Sequence, residues 1–384
     1  MSEPVVERYV RLGLQVGRHV DGIVDAYFGP PELSAAVEAE PPVEPNVLVA
    51  DAETLLGELD DGWLRDQAIG LRTYAGVLAG ESLSYSDEVE GCYGVRPSYT
   101  DEDVFSAAHQ HLDGLLPGDA PLAERYQEWQ KSTRVPVDQA ESVLEAVIEE
   151  ARSWTRRLFG LPEGESVELE IVHDEPWMAF CAYRGNLRSH IEVNVDLPMS
   201  GIELLRLAIH ETYAGHHAER STKEQVLVRE RGLLEETLVL VPTPQALIAE
   251  GIAELAPELL LDGEAGPSLA AVVQDAGIAF ELEHARAVER AAEPLGWVEV
   301  NAALMLYEQG AAEDAVHAYL EQWGLQTAQV ASHVIRFLNA PTSRSYVMNY
   351  PAGRRLCRTY VNDDPERFRR LLGEQVRIGH LLAA

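Results

Sequence analysis

The chain carries its clearest signal in LLRLAIHETYAGHH, residues 204 to 217. The apolar residues recur at helical spacing, so this stretch predicts a helix that ends on a His-Glu pair, His210 and Glu211. In zinc hydrolase helices such a His supplies a metal ligand and the Glu supplies the general base. The second His of that motif normally follows four residues after the first, but here that position is Ala214. The usual spacing is therefore not met.

The next two histidines, His216 and His217, follow six and seven residues after His210. In a straight helix six residues turn a side chain by about 120° and advance it by about 9 Å, and seven advance it by about 10.5 Å. Neither could share an ion with His210 unless the helix breaks between them. Gly215 permits such a break, because glycine adopts conformations closed to other residues. We choose His216 as the second ligand because Gly215 directly precedes it, with His217 as the alternative.

A third ligand is needed because catalytic zinc takes three protein ligands, commonly two His and one Glu, and leaves one position for water. Residues 244 to 261 predict a helix that carries Glu250 and Glu254 one turn apart on one face. Glu250 has apolar neighbours, an unusual setting for a carboxylate. Gly251, which costs about 1 kcal/mol relative to Ala in a helix, indicates close approach to another element. Glu250 therefore completes the predicted ligand set, and Glu254 is placed to orient a ligand His.

These motifs resemble those of a bacterial family, the proteins with domain of unknown function 885, which are similar to zincin-type metallopeptidases. The family's His-Glu-x-x-Pro-Gly-His-His corresponds to residues 210–217, with Ala214 in place of Pro. Its Glu-Gly-Trp-Ala-acidic motif corresponds to residues 250–254, with Ile252 in place of Trp. The resemblance covers most of the chain, including SYSDEVEGCYGVRPSYTDE in the N-terminal half.

A third family element, a Tyr-x-x-Gly that follows an Arg-aromatic pair and a Pro, corresponds to residues 350–353. The resemblance implies that Tyr350 donates to the oxyanion, with Tyr346 as the alternative. It also implies a mostly α, gluzincin-like fold that binds Zn²⁺ and uses Glu211 as the base. His217 would then contact substrate or orient a ligand.

Composition limits the class of protein. The chain has 384 residues, of which 46 % are hydrophobic, and these values are typical of a globular protein. The net charge of −34 disfavours binding to nucleic acid or to anionic membranes. No apolar run is long enough to span a membrane, and no signal peptide is visible. The odd number of widely spaced cysteines favours a reducing cytoplasm over a disulfide framework; these are Cys92, Cys181 and Cys357.

Helical periodicity dominates the rest of the chain. We expect an N-terminal helical lobe over residues 1–160 and a catalytic lobe over 161–384, packed as one unit. Further helices are predicted over 5–29, 137–159, 269–290, 311–323, 327–338 and 365–382, with a loop before Thr100. Alternation within 166–196, with a Gly185-Asn186 turn signal, predicts a small antiparallel sheet beside the His-Glu helix. In zincin-type peptidases, which the chain resembles, residues at positions such as 189–195 form an edge strand that holds substrate.

Three functions agree with these observations. The first is a zinc peptidase that cleaves short peptides, and the second is a metal hydrolase of another amide or ester bond. The third is a metal-free helical protein without enzymatic activity, which Ala214 and Ile252 leave open. Neither exo- versus endo-cleavage nor the oligomeric state follows from the sequence.

Overall fold

The computed structural model describes residues 4–173, 178–196 and 199–384. As predicted, the fold is mostly α, with two small sheets. No helix in these ranges is long and apolar enough to cross a membrane. The helices are α1 (Val5–Gly17), α2 (Pro31–Ala39), α3 (Pro45–Glu58), α4 (Trp63–Leu78), α5 (Tyr85–Tyr93), α6 (Glu102–Leu115), α7 (Leu122–Ser132), α8 (Val137–Leu158), α9 (Gly201–Glu211), α10 (His216–Lys223), α11 (Pro244–Leu261), α12 (Gly266–Asp275), α13 (Leu282–Ala292), α14 (Trp297–Tyr307), α15 (Glu313–Gly324), α16 (Ala328–Asn339), α17 (Asn349–Val361), α18 (Pro365–Gly373) and α19 (Ile378–Leu382). The strands are β1 (Val24–Tyr27), β2 (Ser166–Val172), β3 (Ala179–Gly185), β4 (Arg188–Asn194) and β5 (Leu238–Leu240).

The larger sheet differs from the predicted antiparallel one, because it has three strands in the order β2-β4-β3 and β2 runs parallel to β4. Strands β3 and β4 form an antiparallel hairpin whose two turn residues, Asn186 and Leu187, have φ of 56° and 61°. Positive φ at both positions is typical of the type I′ hairpin turn. Since β4 is paired on both sides, the expectation that residues 189–195 form a substrate-binding edge strand is wrong. The sheet edge at the cavity described below is β3.

The predicted helix over residues 5–29 is also wrong in its second half. Helix α1 ends at Gly17, and Val24–Tyr27 form strand β1, which pairs antiparallel with β5. A Cβ at Gly17 would lie 2.5 Å from the Val24 side chain, so the chain turns back tightly at this point. Pairing with a distant strand overrides the local helical pattern here. As a consequence, Asp25 is brought to the C-terminal half of the chain.

Three other predictions need adjustment. Helix α5 lies in the predicted loop before Thr100, and Ser84 caps it by accepting a hydrogen bond from the Asp87 amide. The predicted helix over 269–290 is split into α12 and α13, and the one over 365–382 into α18 and α19. The main hydrophobic core contains residues from both sides of position 160, and the predicted boundary between lobes stays a prediction.

Helices α11 and α17 cross with very close backbones. A Cβ on Gly251 would lie 2.4 Å from the Gly353 carbonyl oxygen, and a Cβ on Gly353 would lie 2.5 Å from the Leu247 carbonyl oxygen. The close approach expected from Gly251 is therefore present, and its partner is the glycine at 353. This crossing brings Glu250 and Tyr350 to the same cavity.

Candidate metal centre

The helix that carries His210 breaks where the sequence predicts it. Helix α9 ends at Glu211, and α10 begins at His216. The Ala218 amide bonds to the Thr212 carbonyl at 3.0 Å, across a wider loop than a regular helical turn. A Cβ at Gly215 would lie 1.9 Å from the His210 carbonyl oxygen, so a side chain cannot fit without moving that backbone. Glycine at 215 thus allows the two helices to meet closely enough for their histidines to converge.

The break brings His210, His216 and Glu250 together. Their ligand atoms all lie within 4.8 Å of one another. The Nε2 of His210 lies 3.5 Å from one oxygen of Glu250, and the Nε2 of His216 lies 3.4 Å from the other. Ligands around a tetrahedral zinc stand about 3.3 Å apart, since each bond is about 2.0–2.1 Å long. These distances fit a zinc ion with little movement of the side chains.

Glu250 provides a second indication of fit. It is buried, and its Oε2 atom makes no hydrogen bond within the described ranges. A buried carboxylate oxygen without a donor is costly, so such an atom calls for an ion or a water molecule. The Tyr346 hydroxyl donates to Oε1 at 2.6 Å and fixes the orientation of the carboxylate.

A carboxylate on the outer side of the site holds His210. Glu254 lies 3.3 Å from its Nδ1, which leaves Nε2 directed at Glu250. Arg206 in turn pairs with Glu254 at 3.2 Å. A carboxylate on the far nitrogen of a ligand His fixes the ring and raises its basicity. Glu254 therefore occupies the outer position that the sequence suggested.

The pKa values of His210 and Glu254 are shifted because each side chain lies close to groups of opposite charge. Burial lowers the pKa of His210, but the hydrogen bond to Glu254 and the charges of Glu211 and Glu250 outweigh this and raise the pKa to about 9. Burial raises the pKa of Glu254, but His210 and Arg206 outweigh it and lower the pKa to about 2. The site therefore favours positive charge at His210, which a divalent cation could supply in place of a proton.

Glu211 lies beside the ligand set without belonging to it. Its Oε1 is 4.0 Å from His210 Nε2, and the side chain lines the cavity. Burial raises its pKa above the ordinary value for a carboxyl group, only partly opposed by His210 and His216. A carboxylate with a raised pKa suits proton transfer near neutral pH.

The two candidate tyrosines have different surroundings. Their rings meet edge to face with centroids 5.7 Å apart, and both line the cavity. The Tyr346 hydroxyl donates its hydrogen bond to Glu250, whereas the Tyr350 hydroxyl makes no hydrogen bond with the described part of the chain. Burial raises the pKa of both far above the ordinary value, so both hydroxyls keep their protons. Of the two, Tyr350 is the one free to donate to a substrate.

The cavity in front of these residues has a volume of about 400 Å³. Sequence reasoning missed two charged residues in its wall, Asp25 of β1 and Arg220 of α10. Arg220 follows His216 by four residues, a spacing that places both on one helix face and could have revealed it. Asp25 had no such signal, because the pairing of β1 with β5 places it here.

His217 does not take the role expected for it. Its ring is fully buried away from the cavity wall, with Nδ1 2.8 Å from the Ser189 hydroxyl and Nε2 3.1 Å from Glu165. Burial lowers the pKa of His217, so the neutral ring donates from Nε2 and accepts at Nδ1. Glu165, which sequence reasoning missed, also accepts from the Tyr213 hydroxyl at 2.7 Å. His217 therefore anchors α10 to the sheet and to the loop after α8, not to substrate.

A second group of ligand-type side chains lies on the outer face of the three-stranded sheet and consists of Glu170, His190 and Glu192. His190 already pairs with Glu170 at 2.7 Å, and the Glu170 side chain is more than half exposed. Exposed acidic side chains beside a histidine are common without a bound ion, so this group is not assigned as a metal site.

Comparisons with known proteins inform the fold alone. The chain matches no protein-family model and no curated protein. Its fold is similar to that of a presumed lipoprotein from Colwellia psychrerythraea, with a TM-score of 0.56 and 13% identity over 87% of this chain. It is also similar to a presumed lipoprotein of unknown function from Shewanella oneidensis, with a TM-score of 0.53 and 12% identity. That match covers 91% of this chain and 75% of the Shewanella chain. The present chain spans 65% of the Colwellia protein, slightly less than two thirds.

Proposed function

We propose that this protein is a zinc-dependent hydrolase that cleaves short peptides. The observation that carries the proposal is the convergence of His210, His216 and Glu250 at ligand-to-ligand distances of 3.4 and 3.5 Å, with Glu211 beside them. Two His and one Glu with an adjacent Glu form the residue set of a hydrolytic zinc site. The restricted volume of the cavity supports short peptides as substrates over folded proteins.

Each residue of the site has a distinct role in the proposed reaction. When bound, zinc supplies a Lewis acid that activates water near neutral pH and polarises the scissile carbonyl. Glu211 accepts the proton of the attacking water and passes it to the leaving amine. Glu254 holds His210 in the orientation required of a ligand. A cytoplasmic location is part of the proposal, since Cys92, Cys181 and Cys357 are free thiols.

Tyr350 and Tyr346 should give different defects when each hydroxyl is removed. Tyr350→Phe should lower kcat by about 10²- to 10³-fold without changing zinc affinity, because an oxyanion donor acts on the transition state. Tyr346→Phe should instead weaken zinc binding by roughly 10- to 100-fold, because it orients the ligand Glu250. Kinetics and zinc titration of both variants provide the measurement. The reverse pattern would make Tyr346 the oxyanion donor.

Metal analysis tests the proposal first. Purified protein exchanged into zinc and freed of excess metal should carry about one zinc per chain. His210→Ala should lose it, whereas His190→Ala should keep it, because His190 belongs to the exposed group on the sheet. Protein that cannot be loaded with zinc would favour the metal-free, non-enzymatic alternative.

A digest of a peptide library with the zinc-loaded protein tests the reaction. Cleavage of short peptides supports the proposal. Zinc-dependent hydrolysis of small esters or non-peptide amides without peptide cleavage would favour the other hydrolase. The same digest on His210→Ala protein controls for contaminating peptidases.

A further inference from the structure

The guanidinium of Arg220 is a buried cation in the wall of the cavity. The residue is 9% exposed, and the same cavity is lined by His210, Glu211 and His216. Its two ion-pair contacts are long, 3.5 Å to Asp25 and 3.8 Å to Glu219. Neither is a hydrogen bond, and Arg220 makes none within the described ranges. A buried guanidinium ordinarily satisfies its donors, so these donors are available to a ligand in the cavity.

The ligand best matched to such a group is a carboxylate, which a guanidinium binds through two parallel hydrogen bonds. The position of Arg220 restricts which carboxylate of a peptide could reach it. Arg220 follows His216 by four positions on one helix face, which is about 6 Å along the axis. Helical side chains also lean toward the N-terminus, which directs Arg220 toward the metal centre. One residue of an extended peptide spans about 3.3–3.6 Å. Arg220 could therefore bind a carboxylate that lies one or two residues along the peptide from a carbonyl held at the metal centre.

We propose that Arg220 binds the free C-terminal carboxylate of the substrate, so that the protein acts as a carboxypeptidase. This inference rests on the proposed function and specifies that residues are removed from the C-terminal end of the peptide. In the reaction, water adds across the last peptide bond: the hydroxyl goes to the acyl carbon, and the proton goes to the leaving amine of the terminal amino acid. Much of the remaining wall is apolar, including Phe180, Val239 and Phe337, so an apolar terminal residue fits.

The test compares matched substrates on zinc-loaded protein. N-acetyl dipeptides that end in Phe are offered as the free acid and as the C-terminal amide. A third substrate is an amide that ends in Glu, which tests whether a side-chain carboxylate can substitute. We expect kcat/KM for the free acid to exceed that for the Phe amide by about 100-fold, since a buried charge pair would be lost. The Glu amide should be equally poor, because its carboxylate stands on a side chain and not at the chain terminus, and cleavage of the Glu amide as fast as the Phe acid would contradict the inference.

Variants of the anchor decide whether Arg220 provides this preference. Arg220→Gln should reduce the acid's kcat/KM to the level of the Phe amide, mainly through KM. Arg220→Lys should restore part of the preference, because an ammonium keeps the charge and loses the bidentate geometry. The matched control is Arg286→Gln. Arg286 is also buried and is paired with a carboxylate, Asp262, but it lies outside the cavity wall.

Three results would overturn the inference. Equal kcat/KM for the acid and the amide would show that the terminal carboxylate is not recognised. An equal loss on both substrates in Arg220→Gln makes Arg220 a structural ion pair. Cleavage of peptides with a free amino terminus, but not of their N-acetyl forms, points to Asp25 as the anchor instead.

Failure of the proposed function gives a different result. If zinc-loaded protein cleaves no peptide, calorimetry with N-acetylphenylalanine and its amide still tests the anchor. Binding of the acid that Arg220→Gln abolishes would support a carboxylate site, and equal binding of acid and amide would overturn it.

Discussion

Replacing Glu211 by Gln is expected to lower kcat by about 10³- to 10⁴-fold while one zinc per chain stays bound. The amide keeps the shape of the side chain but cannot accept the proton of the attacking water. Zinc should remain because Glu211 is not one of the three converging side chains. Burial raises the pKa of Glu211, so the wild-type acidic limb of the pH profile should reflect its ionisation, with activity lost as the pH falls through that pKa.

The matched control for this change is Glu236→Gln. Glu236 is also buried and also has a pKa raised by burial, but it bonds to Gln375 and lies outside the cavity wall. Its variant should retain wild-type kcat. A Glu211→Gln protein with full activity would show that another group is the base. A variant that had lost zinc would show that Glu211 belongs to the ligand set.

The adjacent histidines should give opposite results when each is replaced by Ala. His216→Ala removes a ligand, so zinc affinity should fall by much more than the 10- to 100-fold typical of an outer residue. His217→Ala leaves the ligand set intact and should keep zinc affinity within about tenfold, because the His217 ring contacts Ser189 and Glu165. Zinc titration against a competing chelator measures both.

Stability provides the second measurement on this pair. His217→Ala should lower the free energy of unfolding by roughly 2–4 kcal/mol, since it leaves a cavity and removes buried hydrogen bonds. His216→Ala should lower it less in zinc-free protein, because that side chain lines the cavity and is partly exposed. The assignment is wrong if His217→Ala loses zinc and His216→Ala keeps it.

Much of the candidate metal centre could be predicted because its determinants are local. With no His at 214, His210 can share an ion with a later His only if the helix breaks, and Gly215 permits that break. Helices α9 and α10 are separated at this place. Glu250 and Glu254 share one helix face, a relation that spacing alone establishes. The mostly α fold follows in the same way from periodicity within each segment.

The features that were missed depend on partners far away in the chain. Nothing within residues 5–29 shows that Val24–Tyr27 would leave the helical pattern, because its partner β5 lies more than 200 residues later. Strand β2 has the alternation expected of a strand, but alternation does not reveal which neighbour it pairs with or in which direction. His217 was misjudged for the same reason, since its partners Ser189 and Glu165 come from other elements.

The pairing of β1 with β5 has a consequence for synthesis of the protein on the ribosome. The cavity wall takes Asp25 from near the start of the chain and Tyr350 from near its end, with His210 and Glu250 between them. A nascent chain therefore cannot complete the wall until the last of these residues has left the exit tunnel. Contacts this distant in sequence also form slowly, because long loops must close first. The candidate metal centre is thus completed only after residue 350 has been synthesised.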